Sequence, residues 1–230
     1  MTELLPCVEV EPSQPAVASV IWLHGLGADG NDFKPVIPAL QLPDDLPVRF
    51  VFPNAPAQPV TINGGWVMPA WYDILEMSIE RKIDTAGLLN SVAQIEALIR
   101  REVERGVPEH RIILAGFSQG GAVAYHTALC YPRKLAGLLT LSTYIATAPQ
   151  IEAQATEANK QIPILIAHGV ADDVVPLSLG QQAVVNLERL GYQPQWLTYQ
   201  VDHGVCLEEI EAIGCWLQDI LSEADPLAQN

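Results

Sequence analysis

The sequence predicts an α/β fold: a mostly parallel central sheet with helices on both faces. Three observations lead there. The segments 17–23, 112–115 and 162–167 are apolar nearly throughout rather than alternating, as strands covered on both faces are. Between such runs lie longer segments with apolar residues three and four apart, the spacing of one helix face. Strand and helix then take turns along the chain, the pattern of parallel crossover units.

In chain order, 8–11 is a short first strand closed by a proline-flanked turn over 12–15. Residues 17–23 form a buried strand that feeds the loop His24-Gly25-Leu26-Gly27. Asp32 and Pro35 open a short helix over 35–40, and 48–52 is the next strand, stopped by Pro53-Asn54-Ala55-Pro56. Residues 57–75, with Gly64-Gly65, Trp66 and Trp71, read as one long irregular loop, a length that usually marks function. Asp84 caps a long helix with Leu88, Val92, Ile95, Ile99 and Val103 on one face, ended by Gly106 and Pro108. A strand over 112–115, a glycine-rich turn and a helix over 122–129 follow, and Pro132 closes that unit. Residues 135–142 are a strand, and 143–160 a polar, Ala/Gln-rich connection. A strand over 162–167 runs into His168-Gly169-Val170-Ala171-Asp172-Asp173, and a helix over 178–190 closes at Gly191. Residues 195–201 alternate as a strand ending in Asp202-His203-Gly204, and the helix over 208–221 turns Ile210, Ile213, Leu217 and Ile220 inward. One domain over 1–222 and a short C-terminal tail over 223–230 account for the chain.

A chain of 230 residues with 49% hydrophobic and 17% charged residues fills one well-buried domain and is not a disordered one. The net charge of −15 disfavours nucleic acid and anionic membranes as partners. No apolar run reaches the length of an integral membrane segment. The first eleven residues lack a basic region and carry Glu3, Glu9 and Glu11, unlike a signal peptide. Cys7, Cys130, Cys206 and Cys215 have no C-x-x-C spacing and no accompanying His cluster. They read as reduced, mostly buried thiols of a cytoplasmic protein, with no metal and no cofactor. The acidic surface, with exposed tryptophans, is compatible with a homodimer but does not demand one.

The chemistry centres on Gly116-Phe117-Ser118-Gln119-Gly120. G-x-S-x-G between a strand and a helix is the nucleophile elbow of α/β-hydrolases, a turn so tight that the serine backbone is strained and its neighbours must lack bulk. Gly116 and Gly120 meet that need, and Gly121 lets the helix approach the sheet. The helix N-terminus behind Ser118 suits a developing oxyanion. The plainer reading of the pattern alone is an ordinary strand–helix turn with a surface serine. Ser118, then Asp172 or Asp173, then His203 lie at three strand ends, in the chain order of that fold. The serine needs a base, and the base needs an acid to hold its tautomer and its charged form.

Of the five histidines, His110 precedes a strand, His126 lies two turns along the elbow helix, and His24 and His168 precede glycines as turn residues do. His203 alone stands between the last strand and the last helix. Asp172 and Asp173 are not separated by spacing, whereas Asp202 diverges from its neighbour His203. The oxyanion hole of this fold pairs the amide after the nucleophile with one from an early loop, here Gln119 and Leu26. A phosphate-binding turn is the other reading of that early loop, and the absence of G-x-G-x-x-G and G-K-[ST] counts against it.

The sequence resembles the acyl-protein thioesterase/bacterial carboxylesterase family of α/β-hydrolases. The resemblance rests on Leu23-His24-Gly25-Leu26-Gly27, Met68-Pro69-Ala70-Trp71-Tyr72-Asp73-Ile74, the Gly116 to Gly121 elbow, His168-Gly169 followed by Asp172, Val175-Pro176, and Tyr199 to His203. It covers nearly the whole chain and departs mildly at Ala146, where a proline is expected. It implies Asp172 as the acid, Leu26 and Gln119 as the oxyanion hole, and a hydrophobic acyl groove built partly from 57–75; Trp71 and Leu75 are the expected substrate contacts there, the plainer reading of Trp71 being a core residue. It also implies a serine hydrolase that cleaves carboxylic esters or thioesters through an acyl-enzyme on Ser118 without a cofactor. Small esters, lysophospholipids and S-acylated proteins all suit such a groove. The rival reading is a catalytically silent binding module on the same scaffold; a dienelactone-type hydrolase fits less well, since the elbow carries serine rather than cysteine.

Overall fold

The unbroken apolar runs form the middle of the sheet. The computed structural model describes residues 4–76 and 82–222. Its elements are β1 (Cys7–Val10), β2 (Ala18–Leu23), β3 (Val48–Pro53), β4 (Ala57–Val60), β5 (Trp66–Pro69), α1 (Thr85–Glu104), β6 (Ile112–Phe117), α2 (Gln119–Cys130), β7 (Gly137–Leu141), α3 (Ala148–Gln154), β8 (Ile164–Gly169), α4 (Leu177–Arg189), β9 (Gln195–Tyr199) and α5 (Leu207–Ser222). The main sheet has seven strands in the order β1-β3-β2-β6-β7-β8-β9. Only β1 runs antiparallel, against β3; the other pairs are parallel.

Each inner strand sends alternate residues into two separate cores. Ile21, Leu114, Leu138 and Ile166 join Leu88, Ile95 and Tyr125 on one side. Trp22, Ile113, Leu139 and Leu165 join Ile213 and Leu217 of α5 on the other. Both faces are therefore dry, and the polar side chains in these strands are buried with partners, Ser19 donating to Glu102 and Thr140 to the Tyr125 hydroxyl. The chain leaves β2 for β3 in one direction and returns to β6 on the opposite side. Strand order reverses there, and in open parallel sheets that leaves a crevice at the carboxyl ends of the two strands.

Several local expectations need correction. Residues 57–75 are not an irregular loop: β4 and β5 pair antiparallel from Ala57↔Pro69 to Val60↔Trp66. Gly64 and Gly65 turn the hairpin with φ of 68° and 77°. Four-residue strands are too short to display alternation, and Pro59 and Pro69 disguise them further. The connection 143–160 holds α3, whose single buried residue, Ile151, gives no periodic signal. The short helix near 35–40 is a 3₁₀ turn, Lys34–Leu40, preceded by Phe33 rather than capped by Asp32. Pro38 inside it removes an N–H that an α-helix would use.

Asp84 occupies the N-cap position of α1 but its side chain makes no capping bond. Leu88, Val92, Ile95 and Ile99 are buried as expected. The cysteines are free but less buried than expected: Cys7, Cys130 and Cys206 are half-buried and Cys215 is exposed. Ile210, Ile213, Leu217 and Leu221 take the inward stripe of α5, which turns Cys215 outward. The tail over 223–230 lies outside the described residues.

Candidate active site

Strand β6 delivers Ser118 to the crevice in a conformation that side-chain-bearing residues rarely adopt, φ 52° and ψ −121°. The strain persists because the surroundings leave no alternative. A Cβ on Gly116 would stand 2.5 Å from the Gly120 carbonyl oxygen, and one on Gly120 would stand 2.5 Å from that of His24. Strand, helix and the end of β2 thus meet backbone to backbone. Gly121 abuts Thr143, just past β7, whose Oγ1 donates to the Ser118 carbonyl at 2.5 Å.

His203 follows β9 and reaches Ser118 with Nε2 at 3.0 Å from Oγ. Its Nδ1 lies 2.7 Å from Asp172 Oδ2. The other oxygen of Asp172 accepts the Val174 and Val175 amides at 3.0 and 2.7 Å. Burial works to raise the Asp172 pKa, but the hydrogen bonds from His203 and the Val175 amide outweigh it and hold the carboxyl below its ordinary value. An ionised Asp172 requires a proton on His203 Nδ1, so Nε2 is left as the acceptor for the Ser118 hydroxyl. Asp173 and Asp202 are both exposed and take no part in this chain of bonds.

The remaining histidines are engaged elsewhere. His24 sits 2.7 Å from the Gly25 carbonyl through Nδ1 and accepts the Ala55 amide on Nε2 at 3.1 Å, so its proton is on Nδ1. His126 meets Thr147 Oγ1 at 2.8 Å. His168 Nε2 lies 2.8 Å from the Val175 carbonyl, and burial lowers its pKa. His110 stands in the turn Glu109–Arg111 that precedes β6, at the opposite end of the sheet.

Gln119 is the first residue of α2, where the backbone amide has no intrahelical acceptor. The loop bearing Leu26 is pressed on the elbow, since a Cβ on Gly25 would lie 3.5 Å from Ser118 Cβ. Phe117 packs its ring 4.8 Å from the His203 imidazole.

Trp71, expected to touch substrate, is 1% exposed and belongs to the core. Its indole N–H donates to the His24 carbonyl at 2.8 Å, so its polar edge is spent on bracing the loop after β2. Leu75 is 40% exposed and precedes the undescribed residues 77–81. Sequence reasoning passed over the side chains of Thr143 and Gln119. Thr143 had a usable signal, its place just past the carboxyl end of β7; Gln119 had none. Among the described residues, no cluster of His, Cys, Asp or Glu is arranged to hold a metal ion, and no helix is long and apolar enough to cross a membrane.

A sequence model of the phospholipase/carboxylesterase family matches residues 6–221. Acyl-protein thioesterase 1 of Neurospora crassa is 38% identical over 225 residues, which span 92% of this chain and 90% of that protein. Acyl-protein thioesterase 1 of Cryptococcus neoformans is 36% identical over 239 residues, 96% of this chain and 100% of that one. Among solved structures, Arabidopsis thaliana SOBER1 superposes with a TM-score of 0.84 at 31% identity, covering 89% of this chain and 99% of its own. Zea mays acyl-protein thioesterase 2 gives 0.83 at 29% identity over 94% of this chain and 99% of its own.

Proposed function

This chain belongs to the phospholipase/carboxylesterase family and is a hydrolase of carboxylic esters or thioesters; we propose that it works through an acyl-enzyme on Ser118. The observation that carries the proposal is the unbroken run from Asp172 through His203 to Ser118, with contacts of 2.7 and 3.0 Å. His203 Nε2 takes the Ser118 proton as Oγ attacks the acyl carbonyl. Asp172 keeps the imidazole in the tautomer that can do so and stabilises the imidazolium that results. The Leu26 and Gln119 amides donate to the tetrahedral oxyanion. His203 then protonates the departing alcohol or thiol, and water repeats the sequence to free the acid and Ser118.

Relatives named acyl-protein thioesterases support S-acylated protein as the substrate class, with small esters and lysophospholipids as alternatives. A cytoplasmic location accords with the free cysteines. A homodimer would have Trp66 and Val67, 75% and 67% exposed on the hairpin, as an apolar surface to cover.

The test is hydrolysis of 4-nitrophenyl esters and S-acyl thioesters across chain lengths, with Ser118→Ala as the blank. Turnover abolished in a folded Ser118→Ala supports the proposal, and the chain-length profile separates a deep acyl groove from a shallow pocket. Wild-type protein that hydrolyses nothing above the blank would be the silent binding module instead.

A further inference from the structure

Backbone amides have no side chain of their own to aim them, so an oxyanion hole is only as accurate as whatever holds its flanking peptides. Residues 69–72, from the last residue of β5 onward, bond to both sides of this one. On the Leu26 side, the Trp71 indole N–H donates to the His24 carbonyl at 2.8 Å, and the Gly27 amide donates to the Pro69 carbonyl at 2.8 Å. Leu26 is thus held from the residue after it and from two residues before it. On the other side, the Gln119 side chain grips the same strap twice: Oε1 accepts the Trp71 amide at 2.8 Å and Nε2 donates to the Tyr72 carbonyl at 2.7 Å. Ser91 of α1 donates from Oγ to the Trp71 carbonyl and anchors the strap from behind. The circuit runs from Gln119 through Trp71 to His24, and it closes where the His24 carbonyl meets Gly120.

Gln119, Trp71, Tyr72 and His24 are all buried, at 2%, 1%, 0% and 2% exposure. Water cannot substitute for a lost partner at such sites, so each bond is a constraint and not a convenience.

We propose that the Gln119 side chain and the Trp71 indole are positioning residues that set the spacing of the Leu26 and Gln119 amides, and through it the affinity for the tetrahedral oxyanion. This rests on the reading of those two amides as the oxyanion donors. The donors must fall 2.7–3.1 Å from the oxyanion, and a shift on the order of 1 Å costs about 10² in rate. Substrate in its ground state makes weaker demands on the same amides, so the strap acts on kcat rather than KM.

Trp71→Phe removes the indole donor together with part of the buried ring system, so its Tm is read alongside, and Gln119→Met removes both side-chain bonds at nearly constant length. With a short 4-nitrophenyl ester, kcat falls about 10-fold for Trp71→Phe and about 10²-fold for Gln119→Met, with KM within about twofold. The inhibition constant of a trifluoromethyl ketone, which forms a tetrahedral adduct, weakens by the same factor as kcat/KM. The matching methyl ketone, a ground-state mimic, binds the variants as it binds the wild type. The double variant is no slower than Gln119→Met, because both changes cut one circuit. Trp71→Phe, the milder change, decides the matter should Gln119→Met not fold. Folded variants with unchanged kcat and unchanged trifluoromethyl ketone affinity, or with a raised KM alone, overturn the proposal. A wild type that labels at Ser118 with a fluorophosphonate yet binds the trifluoromethyl ketone no tighter than the methyl ketone has no such hole, and the underlying reading fails instead.

Discussion

Asp172→Asn changes one atom of the proposed relay and leaves its shape intact. The new carboxamide keeps a carbonyl oxygen for the Val174 and Val175 amides, which bond at 3.0 and 2.7 Å in the parent. That fixes its NH₂ group toward His203 Nδ1, where the carboxylate oxygen stood at 2.7 Å. Two donors cannot share that contact, so the imidazole moves its proton to Nε2 and offers Ser118 a hydrogen where it needs an acceptor. The wrong tautomer together with an unsupported imidazolium costs on the order of 10⁴ in kcat, about 5 kcal/mol of barrier. The assay is steady-state hydrolysis of a 4-nitrophenyl ester, with Asp173→Asn beside it as the control on an exposed neighbour. Asp172→Asn collapses kcat with a near-normal melt, and Asp173→Asn stays within about threefold of the parent, as surface changes do. An Asp172→Asn enzyme within tenfold of the parent would refute the reasoning, as would equal losses in the two variants.

Two further expectations concern the frame around the site. Gly120→Ala would force a Cβ to within 2.5 Å of the His24 carbonyl, a backbone atom that cannot swing aside. It should cost about 1–3 kcal/mol or more of stability, read as a drop in Tm, along with activity. Burial of Glu209, which is fully inaccessible, pushes its pKa up to about 7 against the opposing pull of the Cys206 backbone. A raised folded-state pKa contributes stability that is complete below the unfolded value and is lost as pH rises to about 7, a span worth roughly 3 kcal/mol. Glu209→Gln should therefore match the parent near pH 4.5 and exceed it at pH 8 in urea unfolding; a gap that does not change with pH would contradict this.

Legibility in the sequence followed how local each determinant was. Ser118 could be singled out because its strain is imposed by glycines two residues away, and His203 because strand ends converge at one edge of a parallel sheet. Asp172 and Asp173 were inseparable by spacing, since which side chain turns inward depends on the Val174 and Val175 amides and on where His203 arrives from β9. Pattern alone does not decide Trp71, where an aromatic residue in a loop suits a groove wall and a core brace equally well. Its partner, the His24 carbonyl, is 47 positions away in sequence. The β4–β5 hairpin was hidden for a different reason: strands of four residues with a proline in each carry too few side chains to show a period. The Gln119 side chain lay beyond reach because glutamine in a helix's first turn ordinarily faces water, and only the fold brings residues 71 and 72 against it.

The central claim is that Ser118 is the nucleophile and His203 its base. Its most direct measurement is intact-protein and peptide mass spectrometry after brief exposure to a fluorophosphonate ester, comparing wild type, Ser118→Ala and His203→Ala. The account predicts a single phosphonyl adduct mapped to Ser118 in the wild type, none in Ser118→Ala, and labelling slowed by orders of magnitude in His203→Ala. A folded wild type that does not label, or an adduct mapped to another residue, would contradict it.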